Sequence, residues 1–258
     1  MELIQSKQNP KLKQWKKLLT AKGRDKQGAY LIEGTHLVEE ALKANQPLEC
    51  LIMTSDYDAS MLPLVAHDLT RYYITAEIAR ELSATPQPQG VFAIVSLPDE
   101  RDANWQATGT RYLLVDAVQD PGNLGTLIRT ADAAGFDGVL LGKGTVDVYN
   151  DKTLRATQGS LWHLEVVRGD LLEMIAQLQA QQIPVYATAL HQGAQSYRSV
   201  EVADKVALIV GNEGNGVANN MIQVSDQSIY IPMAGQAESL NVAIAAGILM
   251  FHWATTVE

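Results

Sequence analysis

A single cysteine in 258 residues, Cys50, excludes both an intrachain disulfide framework and a cysteine-built zinc site. The five histidines (His36, His67, His163, His191, His252) lack metal-ligand spacing, so no metal is expected. His191, beside a strand end, reads as a plain loop histidine in preference to one that borders a pocket. The longest apolar run, Val242 to Phe251, falls far short of the roughly 20 residues a membrane span needs, and no membrane partner is expected. The opening Met-Glu-Leu-Ile-Gln-Ser-Lys has no apolar h-region, so a secretion signal is not expected and a reducing cytoplasm is the expected address. Internal repeats and low-complexity tracts are missing too. What remains is ordinary globular material, 47% apolar and 19% charged, enough for two modest domains or one large α/β domain.

Net charge is −9, which taken as one figure argues against nucleic acid. Its distribution argues otherwise. Lys7, Lys11, Lys13, Lys16, Lys17, Lys22, Arg24 and Lys26 stand against Glu2 and Asp25 in the first thirty residues, leaving the remainder strongly acidic. Such a basic end is either an RNA-facing surface or a solvated helix face.

The N-terminal part reads as a small mixed domain. Asn9-Pro10 opens a helix expected to run to about Lys22, with Leu12, Trp15, Leu18 and Leu19 at helical spacing. A second helix is expected over Thr35–Ala44, a third near Ala76–Leu82, and strands at 49–53, 71–74 and 91–95. Two prolines make Thr85–Gly90 a loop. The polar, aperiodic stretch Leu97–Gly109 is the linker candidate. Beyond it, strands at 112–115, 138–141, 164–167, 185–189, 206–210 and 228–231 alternate with helices at Asn123–Ala134, Asp170–Gln181 and Leu240–Thr255. That alternation predicts an α/β domain with a mainly parallel sheet covered on both faces.

Three segments carry candidate chemistry. In Asp120-Pro-Gly-Asn-Leu-Gly-Thr-Leu-Ile-Arg129-Thr-Ala131, Asn123 is expected to cap a helix whose apolar stripe is Leu124, Leu127, Ile128 and Ala131. Arg129 falls off that stripe, as an ordinary exposed arginine or a functional one. Gly211-Asn-Glu-Gly-Asn-Gly216 directly follows a strand, where glycines let a ligand approach the backbone. Its spacing is not the Gly-x-Gly-x-x-Gly of dinucleotide loops, and Gly142-Lys-Gly-Thr145 is not a P-loop. In Glu238-Ser-Leu-Asn-Val242, Ser239 and Asn241 enter what reads as a buried core helix and need partners there.

Together these segments resemble the three signature motifs of the SpoU/TrmH group of SPOUT methyltransferases, which transfer a methyl group from S-adenosylmethionine to a ribose 2′-hydroxyl of RNA. The resemblance spans nearly the whole chain. Lys11–Leu42, with Tyr-Leu-Ile-Glu-Gly34 and Val-Glu-Glu-Ala-Leu42, is similar to the L30e-like substrate-binding domain of many members. It implies an L30e-like domain over 1–97, a linker over 98–109 and a SPOUT domain over 110–258 with a deep trefoil knot, which sequence rules alone would never propose. It places Asn123, Arg129, Glu213, Ser239 and Asn241 at the reaction centre, with Glu213 and Asn123 positioning Arg129. It places Thr188, Ala189, Gly211, Ile231 and Leu240 against S-adenosylmethionine, and Lys11, Lys13, Lys16, Lys17 and Arg24 on RNA. Ribosomal RNA is favoured over transfer RNA, and a homodimer with the site near its interface is implied. Arg129 is the residue the resemblance offers as base, yet deprotonating an arginine of pKa near 13.8 costs roughly 9 kcal/mol at neutral pH. It is better used as a cation gripping phosphate. Two other readings stay open: a non-catalytic RNA-binding or ribosome-assembly protein on the same fold, and a nucleotide-binding oxidoreductase, which the glycine spacing disfavours.

Overall fold

A computed structural model of the chain describes residues 2–62, 65–66, 68–98, 105–201 and 204–254. The chain divides into two units, residues 1–101 with 147–162, and residues 102–146 with 163–258.

The first unit is built on β1 (Glu2–Ile4), β2 (Ala29–Glu33), β3 (Leu48–Thr54), β4 (Thr70–Ile74) and β5 (Val91–Ser96), in the order β1-β4-β3-β5-β2. β1 and β3 run parallel to β4, while β5 is antiparallel to β3 and β2. β2 was not expected as a strand. It is buried along its whole length, so it carries no polar alternation to announce it. Four helices precede the domain's end: α1 (Pro10–Lys17), α2 (Ala21–Gln27), α3 (Thr35–Lys43) and α4 (Ala76–Leu82). Leu12, Trp15, Leu18, Ile52, Ile78 and Phe92 lie in their shared core.

The helix expected to reach Lys22 is in fact two. Asn9 caps α1, its side chain accepting from Lys11 N at 2.8 Å. The helix stops at Lys17, whose carbonyl accepts from Thr20 N (3.1 Å) and Thr20 Oγ1 (2.9 Å). Thr20 then caps α2 by accepting from Gly23 N at 3.2 Å. A Cβ on Gly23 would lie 1.8 Å from the Lys17 carbonyl oxygen, so only glycine lets the chain fold back this tightly.

The second unit has seven strands: β6 (Arg111–Val115), β7 (Gly138–Leu141), β8 (Glu165–Arg168), β9 (Val185–Thr188), β10 (Gln195–Ser196), β11 (Val206–Val210) and β12 (Gln227–Tyr230). Their order is β10-β12-β9-β11-β6-β7-β8 and every pairing is parallel. β6, β7 and β11 are buried throughout, as strands covered on both faces must be. α5 (Pro121–Ala133) links β6 to β7. After β7 the chain contributes α6 (Asp151–Thr157) to the first unit, then returns as β8. α7 (Leu171–Ala180), α8 (Asn219–Val224) and α9 (Val242–Trp253) complete the second unit. Six of its strands lie within two residues of their expected places; the two-residue β10 was not foreseen. Trp105 and Ala107, in the stretch expected as linker, are buried in this unit's core, while positions 99–104 of that stretch, His67 and Thr255 lie outside the described residues.

From β6 the sheet grows through β7 and β8 to one side, and β11, β9 and β12 lie to the other. Strand order therefore reverses between β6 and β11. The crevice beyond the carboxyl ends of the strands at such a reversal is where open parallel sheets bind ligands.

Candidate active site

Two loops leave the sheet at that crevice, one after β6 and one after β11. The first is tied down by Asp120, which caps α5 by accepting from Asn123 N at 2.9 Å. The cap is thus Asp120, not Asn123 as expected, and Pro121 takes the first helical position. This frees the Asn123 side chain. Its Nδ2 donates to Glu213 Oε1 at 3.0 Å, and its Oδ1 accepts from Asn241 Nδ2 at 2.9 Å. Asn241 caps α9, its Oδ1 accepting from Ala243 N (2.9 Å) and Ile244 N (3.3 Å). Because that oxygen caps the helix, its Nδ2 must be the group facing Asn123, and the direction of both amides is fixed.

Glu213 closes the chain of bonds. Besides Asn123, its carboxylate accepts from Gln119 N (3.1 Å) and Asp120 N (3.0 Å). Burial pushes its pKa up, but the donations from Asn123, Asp120 and Gln119 outweigh that and hold the carboxyl below its ordinary value. Glu213 is therefore an ionised strut between the two loops, with its lone pairs engaged.

The loop bearing Glu213 owes its shape to Asn212 and Gly211. Asn212 Oδ1 accepts from Gly214 N (2.9 Å) and Asn215 N (3.1 Å), and its Nδ2 donates to Ala117 O at 2.9 Å. Backbone bonds between Asn212 and Gly216 pinch the loop shut. A Cβ on Gly211 would come within 2.1 Å of Gly216 C and Val217 N, so no side chain fits there. Ala117, held at φ 56° in the left-handed region, is a strained point opposite this loop. Asn212 was missed in the sequence; the Asn-x-Gly turn chemistry of Asn212–Gly214 is the signal that could have found it.

A cavity of about 710 Å³ opens beside this network, within the range usual for small-molecule sites. Thr188, Ala189, Gly211, Ile231 and Leu240, the five positions expected against a cofactor, all line it, as do Glu213, Ser239 and Asn241. Thr188 is fixed by donating to Ile209 O at 3.0 Å. Val210, Ile229 and Leu249 supply apolar wall, and the loops of 188–190 and 211–216 supply backbone polar groups.

Two expected residues stand apart. Arg129 is exposed on α5 and makes no hydrogen bond or ion pair among the described residues, so neither Glu213 nor Asn123 orients it. Six residues along the helix separate it from Asn123, a rise of about 9 Å. Ser239 lines the cavity but is exposed and has no partner among the described residues, so it does not enter a core as expected. α9 itself is only partly buried: Ile244, Ile248 and Phe251, spaced to share one face, are 58%, 36% and 56% exposed.

The basic end is sorted as well. Lys13 and Lys17 are exposed and unpaired among the described residues, whereas Lys11 Nζ donates to Tyr72 Oη at 2.7 Å and sits 4.0 Å above the Tyr72 ring. Lys16 is paired with Glu81 at 2.8 Å. Arg24 is turned inward and is not part of the exposed basic surface: it is 5% exposed, donating from Nη1 to Leu18 O at 2.8 Å and from Nη2 to Asp147. A guanidinium on α2 that packs inward needs such partners, because burying it unpaired is prohibitive. Among the described residues no group of three or more His, Cys, Asp or Glu is placed to hold a metal, and no helix is long and apolar enough to cross a membrane.

A ligand crevice at the strand reversal of a parallel sheet, with an Asn–Asn–Glu network at its rim, is an arrangement suited to holding a small molecule. The family model described as the SpoU rRNA Methylase family matches residues 110–251, and the one described as the MRM3-like substrate binding domain matches residues 9–93. The chain belongs to the SpoU rRNA methylase family. It is 46% identical to the 23S rRNA (guanosine(2553)-2′-O)-methyltransferase RlmP of Bacillus subtilis (strain 168), over 98% of this chain and 99% of that protein. It is similar in structure to an AdoMet-bound rRNA methyltransferase from Sinorhizobium meliloti, with a TM-score of 0.86 and 32% identity, covering 98% and 97% of the two chains. The SpoU methyltransferase AviRb from Streptomyces viridochromogenes, in complex with AdoMet, gives a TM-score of 0.84 at 26% identity, covering 95% of this chain and 98% of that one.

Proposed function

We propose that the protein methylates a ribose 2′-hydroxyl of 23S-type ribosomal RNA, using S-adenosylmethionine as donor. The observation that carries the reading is the Asn241–Asn123–Glu213 chain of hydrogen bonds at the rim of the cavity. Support for the substrate comes from the relative at 46% identity, whose name specifies 23S rRNA and 2′-O transfer.

The cavity fits the donor in size and in its mix of apolar wall and backbone edges. When bound, S-adenosylmethionine supplies a methyl group already activated by positive sulfur. Ile231 and Leu240 would hold the adenosyl part, and Gly211, Thr188 and Ala189 would approach it through backbone. Transfer of that methyl group to the 2′-oxygen would require the hydroxyl proton to leave. Glu213 is poorly suited to take it, since three donors engage its oxygens. Arg129 stays a cation and grips the phosphate beside the target ribose, which orients the nucleophile; the proton passes to that phosphate or to water.

The protein acts as a homodimer in a reducing cytoplasm. A second copy covers the exposed Ile244, Ile248 and Phe251 face of α9, next to the helix end that Asn241 anchors in the site. α9 follows the knotted path of the family, and Ser239 meets the substrate.

The test is titration calorimetry with S-adenosylmethionine and NADH, followed by transfer of labelled methyl to deproteinised 23S rRNA. Binding of S-adenosylmethionine alone, and label recovered as a 2′-O-methyl nucleoside, are the expected results. Binding of NADH alone, or binding without transfer to any RNA, overturns the reading. Light scattering showing a monomer at micromolar concentration overturns the dimer.

A further inference from the structure

The structure divides the eight cations of the first thirty residues into two sets. Around α1, at about 100° per residue, Lys11 and Lys16 flank the Leu12–Trp15 core stripe on its two sides. There each finds a neighbour: Tyr72 on β4 for Lys11, and Glu81 on α4 for Lys16. Lys7 is paired with Glu77 at 2.7 Å and with the same Glu81 at 2.8 Å. Arg24 is the buried residue of α2. Lys13 and Lys17 lie on the side of α1 away from the core. Lys22 and Lys26 lie about 160–200° round α2 from Arg24. All four are exposed and have no hydrogen bond or ion pair among the described residues.

We infer that Lys13, Lys17, Lys22 and Lys26 form the phosphate-contacting face of this protein for RNA, and that Glu81 holds Lys16 and Lys7 out of that contact. The inference rests on the RNA methyltransferase reading and gives its N-terminal unit a defined electrostatic footprint. Two observations favour an RNA backbone as the occupant. The chain outside the first thirty residues is strongly acidic, so phosphates are repelled elsewhere and drawn here. Each helix also carries its two lysines four residues apart, which sets two cations on one side of each helix with only Asp25 as an acid in either. Lys16 and Lys7 hold the Glu81 carboxyl down to about 2, so the clamp stays charged at any working pH.

Counterion release makes this measurable. Each cation that neutralises a phosphate steepens the plot of log affinity against log salt by about 0.7 on single strands to 0.9 on duplex. Filter binding of deproteinised 23S rRNA is run over a salt series with the full-length protein. Replacing Lys13 and Lys17 together, or Lys22 and Lys26 together, by alanine flattens the slope by about 1.4–1.8. Replacing Lys16 by alanine leaves it unchanged, and Glu81→Gln steepens it by about 0.7–0.9 as Lys16 is released, Lys7 staying paired with Glu77. Thermal midpoints and calorimetric S-adenosylmethionine binding stay at wild-type values in every variant, since none of these side chains is buried or in the cavity. A slope indifferent to all four lysines, or one flattened equally by Lys16→Ala, overturns the footprint. An unchanged slope in Glu81→Gln overturns the clamp. Wild-type protein that binds no RNA even at low salt overturns the RNA methyltransferase reading itself, a result distinct from the other two.

Discussion

Arg24 separates a structural cation from an RNA-binding one, and the difference is large enough to measure. Its side chain is 6% exposed and paired with Asp147, whose side chain is 34% exposed, and it also donates to Leu18 O at 2.8 Å. Removing one partner of a buried ion pair costs about 3–5 kcal/mol. Asp147→Ala leaves the Arg24 guanidinium buried without its countercharge, so the whole of that range applies, about 3–5 kcal/mol; in Arg24→Ala the carboxylate left behind retains access to water, so the loss is smaller. Arg24→Ala loses the same pair and the bond to Leu18 O, and is expected near 3 kcal/mol. With a urea m-value of about 1–3 kcal/mol/M, either change lowers the denaturation midpoint by roughly 1 M or more. Fluorescence of Trp15 and Trp162 follows the unit concerned, Trp162 being bonded to Tyr30 at 3.1 Å. In a double-mutant cycle the two losses do not add, because both remove one interaction. An Arg24→Met, Asp147→Leu pair recovers most of the stability, since a well-packed apolar pair replaces a buried ion pair at little loss. The RNA salt slope of every folded variant stays at the wild-type value. Arg24→Ala with an unchanged midpoint and a flattened salt slope would refute the reasoning, because it would put the guanidinium on RNA. Asp147→Ala that binds RNA more tightly without losing stability would refute it as well.

The remaining expectations concern the site. Gly211→Ala places a methyl group 2.1 Å from the Gly216 and Val217 backbone, so the loop must open; calorimetry is expected to show at least a tenfold loss of S-adenosylmethionine affinity, and wild-type affinity would contradict the packing argument. Asn241→Asp keeps the helix cap, worth about 1 kcal/mol, but turns an acceptor toward Asn123 Oδ1. Its melting point should move by a degree or two while single-turnover methyl transfer falls at least tenfold, and loss of both together would point to simple unfolding. Glu213 has a folded pKa below its ordinary 4.5, so its contribution is fully present above that value and is lost as pH falls through the folded pKa. Cofactor affinity should therefore be flat from pH 8 to about 5 as far as Glu213 is concerned, and a Glu213→Gln change should remove the acid limb below it. Burial pushes the Cys50 thiol up to about 11, so a disulfide reagent at pH 8 should label it only after denaturant is added; rapid labelling of native protein would contradict its place in the core.

Part of the cavity wall was legible because its information is local. A buried parallel strand is an apolar run, and the residues just beyond its carboxyl end must be the ones that face a crevice. Val206–Val210 followed by Gly211–Gly216 states both facts within eleven residues, whereas Thr188, Ala189, Ile231 and Leu240 were expected there from the family resemblance alone, Leu240 lying ten residues beyond the end of β12. The caps were less legible. Asp120 and Asn123 are both good capping residues three positions apart, and only the placement of Pro121 at the first helical position decides between them. The break after Lys17 was hidden because Leu18 and Leu19 continue the helical spacing, while Gly23, the residue that permits the fold-back, lies six positions later.

The cations are sorted by long-range partners, which sets a limit on reading charge from sequence. Lys16 and Lys17 are adjacent and chemically identical. One is neutralised by Glu81, 65 residues away; the other has no partner among the described residues. Arg24 is held by Asp147, 123 residues away, on a short helix with no apolar stripe to mark its inward face. Helical periodicity could tell that Lys13 and Lys17 point away from Leu12 and Trp15, but not that an acidic helix waits beside Lys16. A count of basic residues therefore overstates the electrostatic footprint wherever the fold brings carboxylates to the flanks of the helix. The inferred footprint has four cations where five were expected, and only Lys13 and Lys17 belong to both sets. The salt dependence of RNA binding reads that number directly.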